Sequence, residues 1–281
     1  MRLFLKLKPI KLAYILSAMA FFTTFVFSGN VLGATFAARV SPPNFELKAK
    51  SGEMIREIIT IENSDVETAV YQIRTADWHM NADGGVSIHP ADEPLALKSC
   101  RPWTRIERKK LKLAPKKAKR YRFEVHVPED AESGECRFAI VISPAPETLD
   151  AMEFGNLRVP IVGAIAVIVY VTIGDAEPVL EYRGAHLQKD KEFVPIIQFF
   201  NKGNAHARPF GSIQAIDANK RKVELIVSPF PILPGRLTDI KLTNNPQISG
   251  LKNIKDLSPP LQLKGLIEWE GGRYKLDAKV E

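Results

Sequence analysis

The stretch "VPIVGAIAVIVYVTIG", residues 159–174, decides the fold because it contains no charged side chain. It is too short for a membrane helix, which needs about 20 mostly apolar residues to cross about 30 Å of hydrocarbon. Val, Ile, Tyr and Thr pack well on a pleated surface and lose rotamer freedom in a helix. The stretch therefore predicts a strand that is apolar on both faces. Both faces must be covered, either by the protein itself or by a partner.

The residues before this stretch predict an immunoglobulin-like β-sandwich. Their clearest pattern is "KRYRFEVHV", residues 119–127, in which polar and apolar side chains alternate with period two. About seven such strands in roughly 140 residues, with turns between them, are typical of this sandwich. The pair Pro42-Pro43 separates the first two strands and predicts that one edge strand changes partners. The stretch 159–174 is the expected last strand.

The residues after position 174 repeat the same style. The segment "GDAEP", residues 174–178, is a predicted hinge, and a final hairpin is predicted to turn on Gly271-Gly272. We therefore predict an all-β protein with two immunoglobulin-like β-sandwich domains in tandem. The predicted domains are residues 35–174 and residues 175–281.

The N-terminal residues 1–34 have the layout of a secretory signal peptide. Four basic residues come first, then an uncharged apolar run from Leu12 to Phe27, then small residues that end at Ala34. Cleavage is expected near Ala34, and an uncleaved anchor is the alternative. Subtracting the four basic residues from the formal charge of +7 leaves +3. So small a charge indicates no nucleic-acid partner, and no membrane span is predicted in the mature chain.

The chain has two cysteines, Cys100 and Cys136. A secreted chain meets an oxidising compartment, so the even count predicts one disulfide, with two buried free thiols as the alternative. No Cys or His spacing matches a metal site, and no nucleophile motif is present. We therefore predict no metal, no cofactor and no enzymatic activity.

Residues 98–122 hold twelve Lys or Arg and one acidic residue, Glu107. One interpretation is a basic face that attracts an acidic partner or anionic lipid headgroups. The other is an edge that Lys side chains keep soluble, which is a common protection against edge-to-edge aggregation. The sequence leaves both interpretations open.

The order of these parts resembles the periplasmic pilus (fimbrial) chaperone family of the chaperone–usher pathway. In the first domain the resemblance rests on "SPPNFELKAKSGE" (41–53), on "IENSD" (61–65) and on "CRPWTRIERKKLKLAPKKAKRYRFEVHVPEDAESGECRFAIVIS" (100–143). In the second it rests on "NKGNAHARPFGSIQAIDANKRK" (201–222) and "ILPGR" (232–236). The resemblance covers nearly all of the mature chain.

The resemblance implies a periplasmic, ATP-independent chaperone that lends a strand to an incomplete β-sandwich. The implied client is a pilin-like or other secreted β-sandwich subunit, and an outer-membrane usher is left open as a further partner. We expect the donated side chains on one face of the long final strand. The first candidates are Leu157, Val159 and Ile161, and the same face continues with Ile165, Val167 and Val169. The alternative is that these side chains fill the protein's own core.

The sequence departs from the family in two places. The basic pair that family members hold in the cleft between domains falls here on Pro42 and near Ile165, neither of which is basic. The nearest basic substitutes are Arg39 and Arg158. The two cysteines are also not a general family feature. A structural or adhesive tandem immunoglobulin-like envelope protein without a client is therefore kept as the alternative function.

Overall fold

The computed structural model shows a chain built almost entirely of β-strands. For residues 151–154 and 157–160 it describes the course of the backbone only. The predicted signal peptide, residues 1–34, lies outside the described residues. The described residues are 36–81, 84–89, 93, 95–146, 151–154, 157–160, 163–189, 193–245 and 254–281.

Most of the described strands belong to two β-sandwiches, which confirms the predicted fold class, and four belong to two separate two-stranded sheets. The first set, in chain order, is β1 (Ala38–Ser41), β2 (Asn44–Ala49), β3 (Met54–Asn63), β4 (Ala69–Ala76), β5 (Trp78–Met80), β6 (Val86–Ile88), β7 (Thr104–Ile106), β8 (Lys110–Leu113), β9 (Ala118–His126), β10 (Gly134–Pro144), β11 (Ala151–Phe154), β12 (Leu157–Pro160) and β13 (Ile165–Ile173). The second set is β14 (Leu180–Lys189), β15 (Phe193–Asn201), β16 (Phe210–Asp217), β17 (Lys222–Val227), β18 (Leu237–Asn244), β19 (Leu261–Trp269) and β20 (Gly272–Val280).

Two sheets face each other in the first sandwich. One has the order β1-β3-β9-β7, and the other has the order β2-β13-β10-β4-β8. The alternation predicted for residues 119–127 is confirmed, because Tyr121, Phe123 and Val125 are buried between the sheets. The predicted disulfide is confirmed as well, since Cys100 and Cys136 are bonded and both are buried.

The first strand is divided between the two sheets, as the Pro42-Pro43 pair predicts. Before the prolines, β1 pairs antiparallel with β3 in one sheet. After them, β2 pairs parallel with β13 in the other sheet. Proline has no N–H to donate to a ladder, so the two residues interrupt one continuous edge strand at this point.

The charge-free stretch 159–174 is not one strand, which corrects the prediction. Its beginning belongs to β12, which pairs with β11 in a separate two-stranded sheet, and its end is β13. Gly163 lies between them, outside any strand. A Cβ at Gly163 would stand 2.9 Å from the Cβ of Phe36, so the absent side chain permits this close approach.

The second sandwich contains seven strands in the order β14-β15-β18-β17-β16-β19-β20. They enclose an apolar core that includes Phe199, Leu225 and Ile240, all with no exposed surface. The predicted final hairpin is confirmed, with Gly271 at a positive φ of 85° in the turn between β19 and β20. Among the described residues no helix is long and apolar enough to cross a bilayer.

Candidate functional site

Strand β13 presents alternate side chains to two different apolar clusters. Its odd-numbered residues point between the two sheets, where Val167 and Val169 have no exposed surface. Its even-numbered residues, among them Ile168 and Tyr170, point to the opposite face of the sheet. A strand with both faces apolar therefore finds cover on both faces.

The second face is covered from two directions. The hairpin β5–β6 places Trp78 and Met80 against it, and the second sandwich contributes Leu233. The rings of Trp78 and Tyr170 meet edge to face with centroids 5.6 Å apart. The indole Nε1 of Trp78 also donates a hydrogen bond to the Phe138 carbonyl at 3.2 Å. The second apolar face of β13, for which the sequence predicted no specific neighbour, is therefore covered by residues of this chain.

This packing corrects part of the predicted donor face. Val167 and Val169 belong to the core of the first sandwich, because pairing of β13 with β10 holds them between the sheets. Neither is accessible to a client. Ile165, at the start of the strand, is only half-buried.

The other three predicted donor residues precede β13. Leu157 and Val159 lie in β12, with their backbones opposite Phe154 and Met152. Ile161 lies outside the described residues. The role predicted for these three remains a prediction.

One edge of β13 is only partly paired. Along its whole length the strand pairs with β10 on one side, from Ile165 opposite Ile142 to Ile173 opposite Gly134. On the other side β2 begins at Asn44, which lies opposite Ile168. No strand in the described part of the chain pairs with residues 165–167 on that side. We call residues 165–167 the free edge of β13.

At its other end β13 contacts the second sandwich through a charged cluster. The ring of Tyr170 stacks on the imidazole of His206, with centroids 4.1 Å apart. His206 lies between two carboxylates, with its Nδ1 2.5 Å from Glu135 and its Nε2 3.4 Å from Glu46. Arg208 donates a hydrogen bond to Glu46 and places its guanidinium over Tyr170.

The electrostatics of this cluster follow from burial and from the cations beside it. Burial raises the pKa of the Tyr170 hydroxyl to about 12, so Tyr170 stays neutral. Burial alone would raise the pKa of Glu46, but the hydrogen bond from Arg208 and the charges of His206 and Arg208 outweigh it and lower that pKa. The Oε1 atom of Glu135 is buried and has no hydrogen-bond partner among the described residues, while its Oε2 accepts the backbone N–H of His206 at 2.9 Å. These contacts hold the second sandwich against β13.

Of the two predicted basic substitutes, only Arg39 has a described side chain. Arg39 lies on β1 with 72% of its side chain exposed and pairs with Glu62 at 3.4 Å. Arg158 is described only by its backbone, opposite Glu153.

Sequence reasoning missed Arg137, which lies over the ring of Trp78 at 5.3 Å. Burial lowers the pKa of Arg137 and outweighs the opposing charge of Glu135. The one signal in the sequence was its place immediately after Cys136, on a strand with a buried face.

The basic run 98–122 is divided between the two sheets. Arg105 and Arg122 lie on the outer face of the first sheet, where Glu107 and Glu124 interleave with them. Lys112, by contrast, is exposed on the edge strand β8 of the second sheet. Strand β7, which carries Arg105, and strand β8 are both edge strands, but they belong to different sheets, so the run is not one continuous basic face.

A scan against protein-family models found no match, and neither did a search of curated proteins. Solved structures with a similar fold include the YadV chaperone, at 10% identity over 86% of this chain and 98% of that one, with a TM-score of 0.45. They include the CupB2 chaperone of Pseudomonas aeruginosa, at 10% identity over 86% and 100%, with a TM-score of 0.44. They also include the CsuC–CsuE chaperone–tip adhesion subunit complex of Acinetobacter baumannii, at 12% identity over 87% and 98%, with a TM-score of 0.41. These similarities concern the fold alone. What this chain binds is argued from its own residues.

Proposed function

We propose that this protein is a periplasmic chaperone that binds a pilin-like or other secreted β-sandwich subunit by strand addition, without ATP and without catalysis. The observation that carries the proposal is the free edge of β13. An unpaired edge offers backbone N–H and C=O groups to another chain, and partners that add a strand use this contact. The proposal places the client strand beside residues 165–167, where β2 does not reach.

The side chains proposed for donation are those of the predicted face other than Val167 and Val169, which the core of the first sandwich buries. Leu157, Val159, Ile161 and Ile165 are apolar and share the same parity along the chain. Burying one such side chain stabilises a complex by up to about 1.5–3 kcal/mol. A row of three or four would supply a large share of a binding free energy. Val167 and Val169 are excluded from this role by their burial.

A basic side chain is also proposed to bind a carboxylate of the client. Arg39 and Arg158 stay as the proposed basic residues, and Arg39 is the one whose side chain is described, exposed and paired with Glu62. An exposed ion pair contributes about 1 kcal/mol or less, so a client carboxylate could replace Glu62 at little cost.

The test is periplasmic co-expression with candidate pilin-like subunits. The wild-type protein should raise the amount of soluble subunit, and the subunit should co-purify with it. The triple change Leu157→Asp, Val159→Asp and Ile161→Asp should return the soluble subunit to the level without chaperone. Leu266→Asp is the matched control, because Leu266 is 39% exposed on β19 of the second sandwich. Equal solubilisation by the triple variant and the wild type would refute donation from this segment.

A structural or adhesive envelope module is the second candidate. It is favoured by the packing of both faces of β13 against this chain, which buries Val167, Val169, Tyr170 and Val171 and half-buries Ile168. On this alternative no subunit co-purifies, and subunit solubility is the same with and without the protein.

A further inference from the structure

The solvent-facing side of the hairpin β5–β6 carries two imidazoles that the chain brings together. His79 lies opposite Ser87 in the hairpin, between Trp78 and Met80, whose side chains are buried on the other side. His89 follows β6, and its backbone N–H donates to the Asp77 carbonyl at 2.9 Å. This extension of the ladder places the two rings side by side. Their spacing of ten positions along the sequence gave no sign of it.

The facing nitrogens of the two rings are close. Nδ1 of His79 lies 3.0 Å from Nε2 of His89, and the ring planes meet at 77°. Bonds from imidazole nitrogen to a late transition metal are about 2.0–2.1 Å long, so two nitrogens on one ion lie about 3 Å apart. The observed separation therefore suits either a hydrogen bond between the rings or a shared metal ion.

A carboxylate fixes the orientation of the second ring. Oε2 of Glu93 lies 2.6 Å from Nδ1 of His89. With Nδ1–H donating to Glu93, the lone pair of Nε2 points toward His79. A carboxylate behind a histidine, holding its tautomer and raising its basicity, is the arrangement that surrounds metal-bound histidines.

We propose that His79 and His89 form a binding site for a divalent late transition metal, Cu²⁺ or Zn²⁺, with Glu93 as the positioning residue. In the metal-free protein His79 Nδ1–H donates to His89 Nε2. When the ion binds, the His79 proton resides on Nε2, so that Nδ1 gives its lone pair to the metal. The two nitrogens replace two of the ion's water ligands, which leave to bulk solvent.

The remaining coordination positions stay with water. Among the described residues no group of three or more His, Cys, Asp or Glu converges on one point. Such a site binds a metal ion reversibly, and imidazole ligands select Cu²⁺ and Zn²⁺ over Mg²⁺ and Ca²⁺. The bound ion would join the strand β5 to the residue after β6, and so clamp the hairpin whose other side covers β13 through Trp78. This inference is independent of the proposed chaperone function.

The experiment is calorimetric titration of the secreted chain, purified without a histidine tag, with CuCl₂ and with ZnCl₂, and with MgCl₂ as the negative ion. We expect one saturable site for Cu²⁺ and a weaker one for Zn²⁺. His79→Ala and His89→Ala should each weaken binding at least tenfold. Glu93→Gln, which keeps both ligands, should weaken it by about 10- to 100-fold. His186→Ala, a change on β14 of the second sandwich, should leave binding unchanged.

A spectroscopic readout separates this site from metal bound elsewhere. The electron paramagnetic resonance spectrum of the Cu²⁺ complex should show coupling to two imidazole nitrogens, and this signal should be absent from the His79→Ala variant. The proposal is overturned if neither ion binds saturably, if the double variant His79→Ala and His89→Ala binds as the wild type does, or if Glu93→Gln leaves the affinity unchanged. Because His79 is exposed, its replacement leaves the core intact, and circular dichroism checks this.

Discussion

The two parts of strand β13, residues 165–167 and residues 168–173, differ in how they are paired, although neither contains a charged side chain. Residues 168–173 have β10 on one side and β2 on the other, whereas residues 165–167 pair with β10 alone among the strands that the structure describes. The fully paired part, residues 168–173, also packs against the second sandwich through Tyr170. The comparison shows that the edge pairing of this strand is decided by where β2 begins and not by the composition of β13. A charge-free stretch identifies a strand, but it does not identify an open edge.

The largest expected effect on stability comes from placing a charge in the fully paired part of β13 and, for comparison, in its free edge. Val169→Asp should lower the free energy of unfolding by more than about 4 kcal/mol, because it buries an unpaired carboxylate in the core. Ile165→Asp should lower it by about 1 kcal/mol or less, because Ile165 is half-buried at the strand end and its carboxylate can reach water. Urea unfolding monitored by circular dichroism measures both. Equal losses of unfolding free energy would contradict the division of the strand into a free edge and a fully paired part.

A smaller effect on stability is expected from removing the disulfide beside the fully paired part of β13. Cys136 lies on β10 opposite Val171, and its bond to Cys100 closes a loop across 36 positions of sequence. Replacing both cysteines by Ser should lower the free energy of unfolding by about 3–4 kcal/mol, chiefly by loosening the unfolded chain. The measurement is urea unfolding of the double variant against the wild type under oxidising conditions. A loss below about 1 kcal/mol would show that the bond constrains little.

The smallest effect on stability is expected from removing the ion pair between Arg208 and Glu46, beside the fully paired part of β13. Since the pKa of Glu46 is lowered in the folded protein, its contribution to stability is present above the usual value of 4.5 and is lost as the pH falls through the lowered value. Arg208→Ala removes the main favourable partner of Glu46. The stability difference between wild type and variant should be at most about 1 kcal/mol at neutral pH, because the pair is half-exposed. It should shrink as the pH falls below 4.5, which thermal unfolding between pH 3 and 7 measures. A difference that grows toward acid would contradict the assignment.

The sequence predicts the elements of this fold better than its candidate site. Alternation around Tyr121 and the Pro42-Pro43 interruption are local signals, and each led to the correct pairing. The accessibility of Val167 could not be predicted, since both faces of its strand are apolar and the periodicity does not say which neighbours arrive. The cover of the second face comes from residues as distant as Trp78 and Leu233.

The same limit explains the side chains that sequence reasoning missed. Arg137 and the pair His79 and His89 gain their neighbours through strand pairing, and no spacing in the sequence encodes those contacts. Side chains that come into contact through the register of two paired strands can be identified only once that register is known.

The two prolines at the sheet crossing have one further consequence. Extending the parallel register of β2 backward would bring Ser41, Pro42 and Pro43 opposite residues 165–167. The molecule therefore carries, immediately before β2, a segment whose register would let it pair with the free edge of β13, but proline has no N–H to donate to such a ladder. Substituting both with β-branched residues is a route to a self-capped form, blocked against any incoming chain while its core stays unchanged.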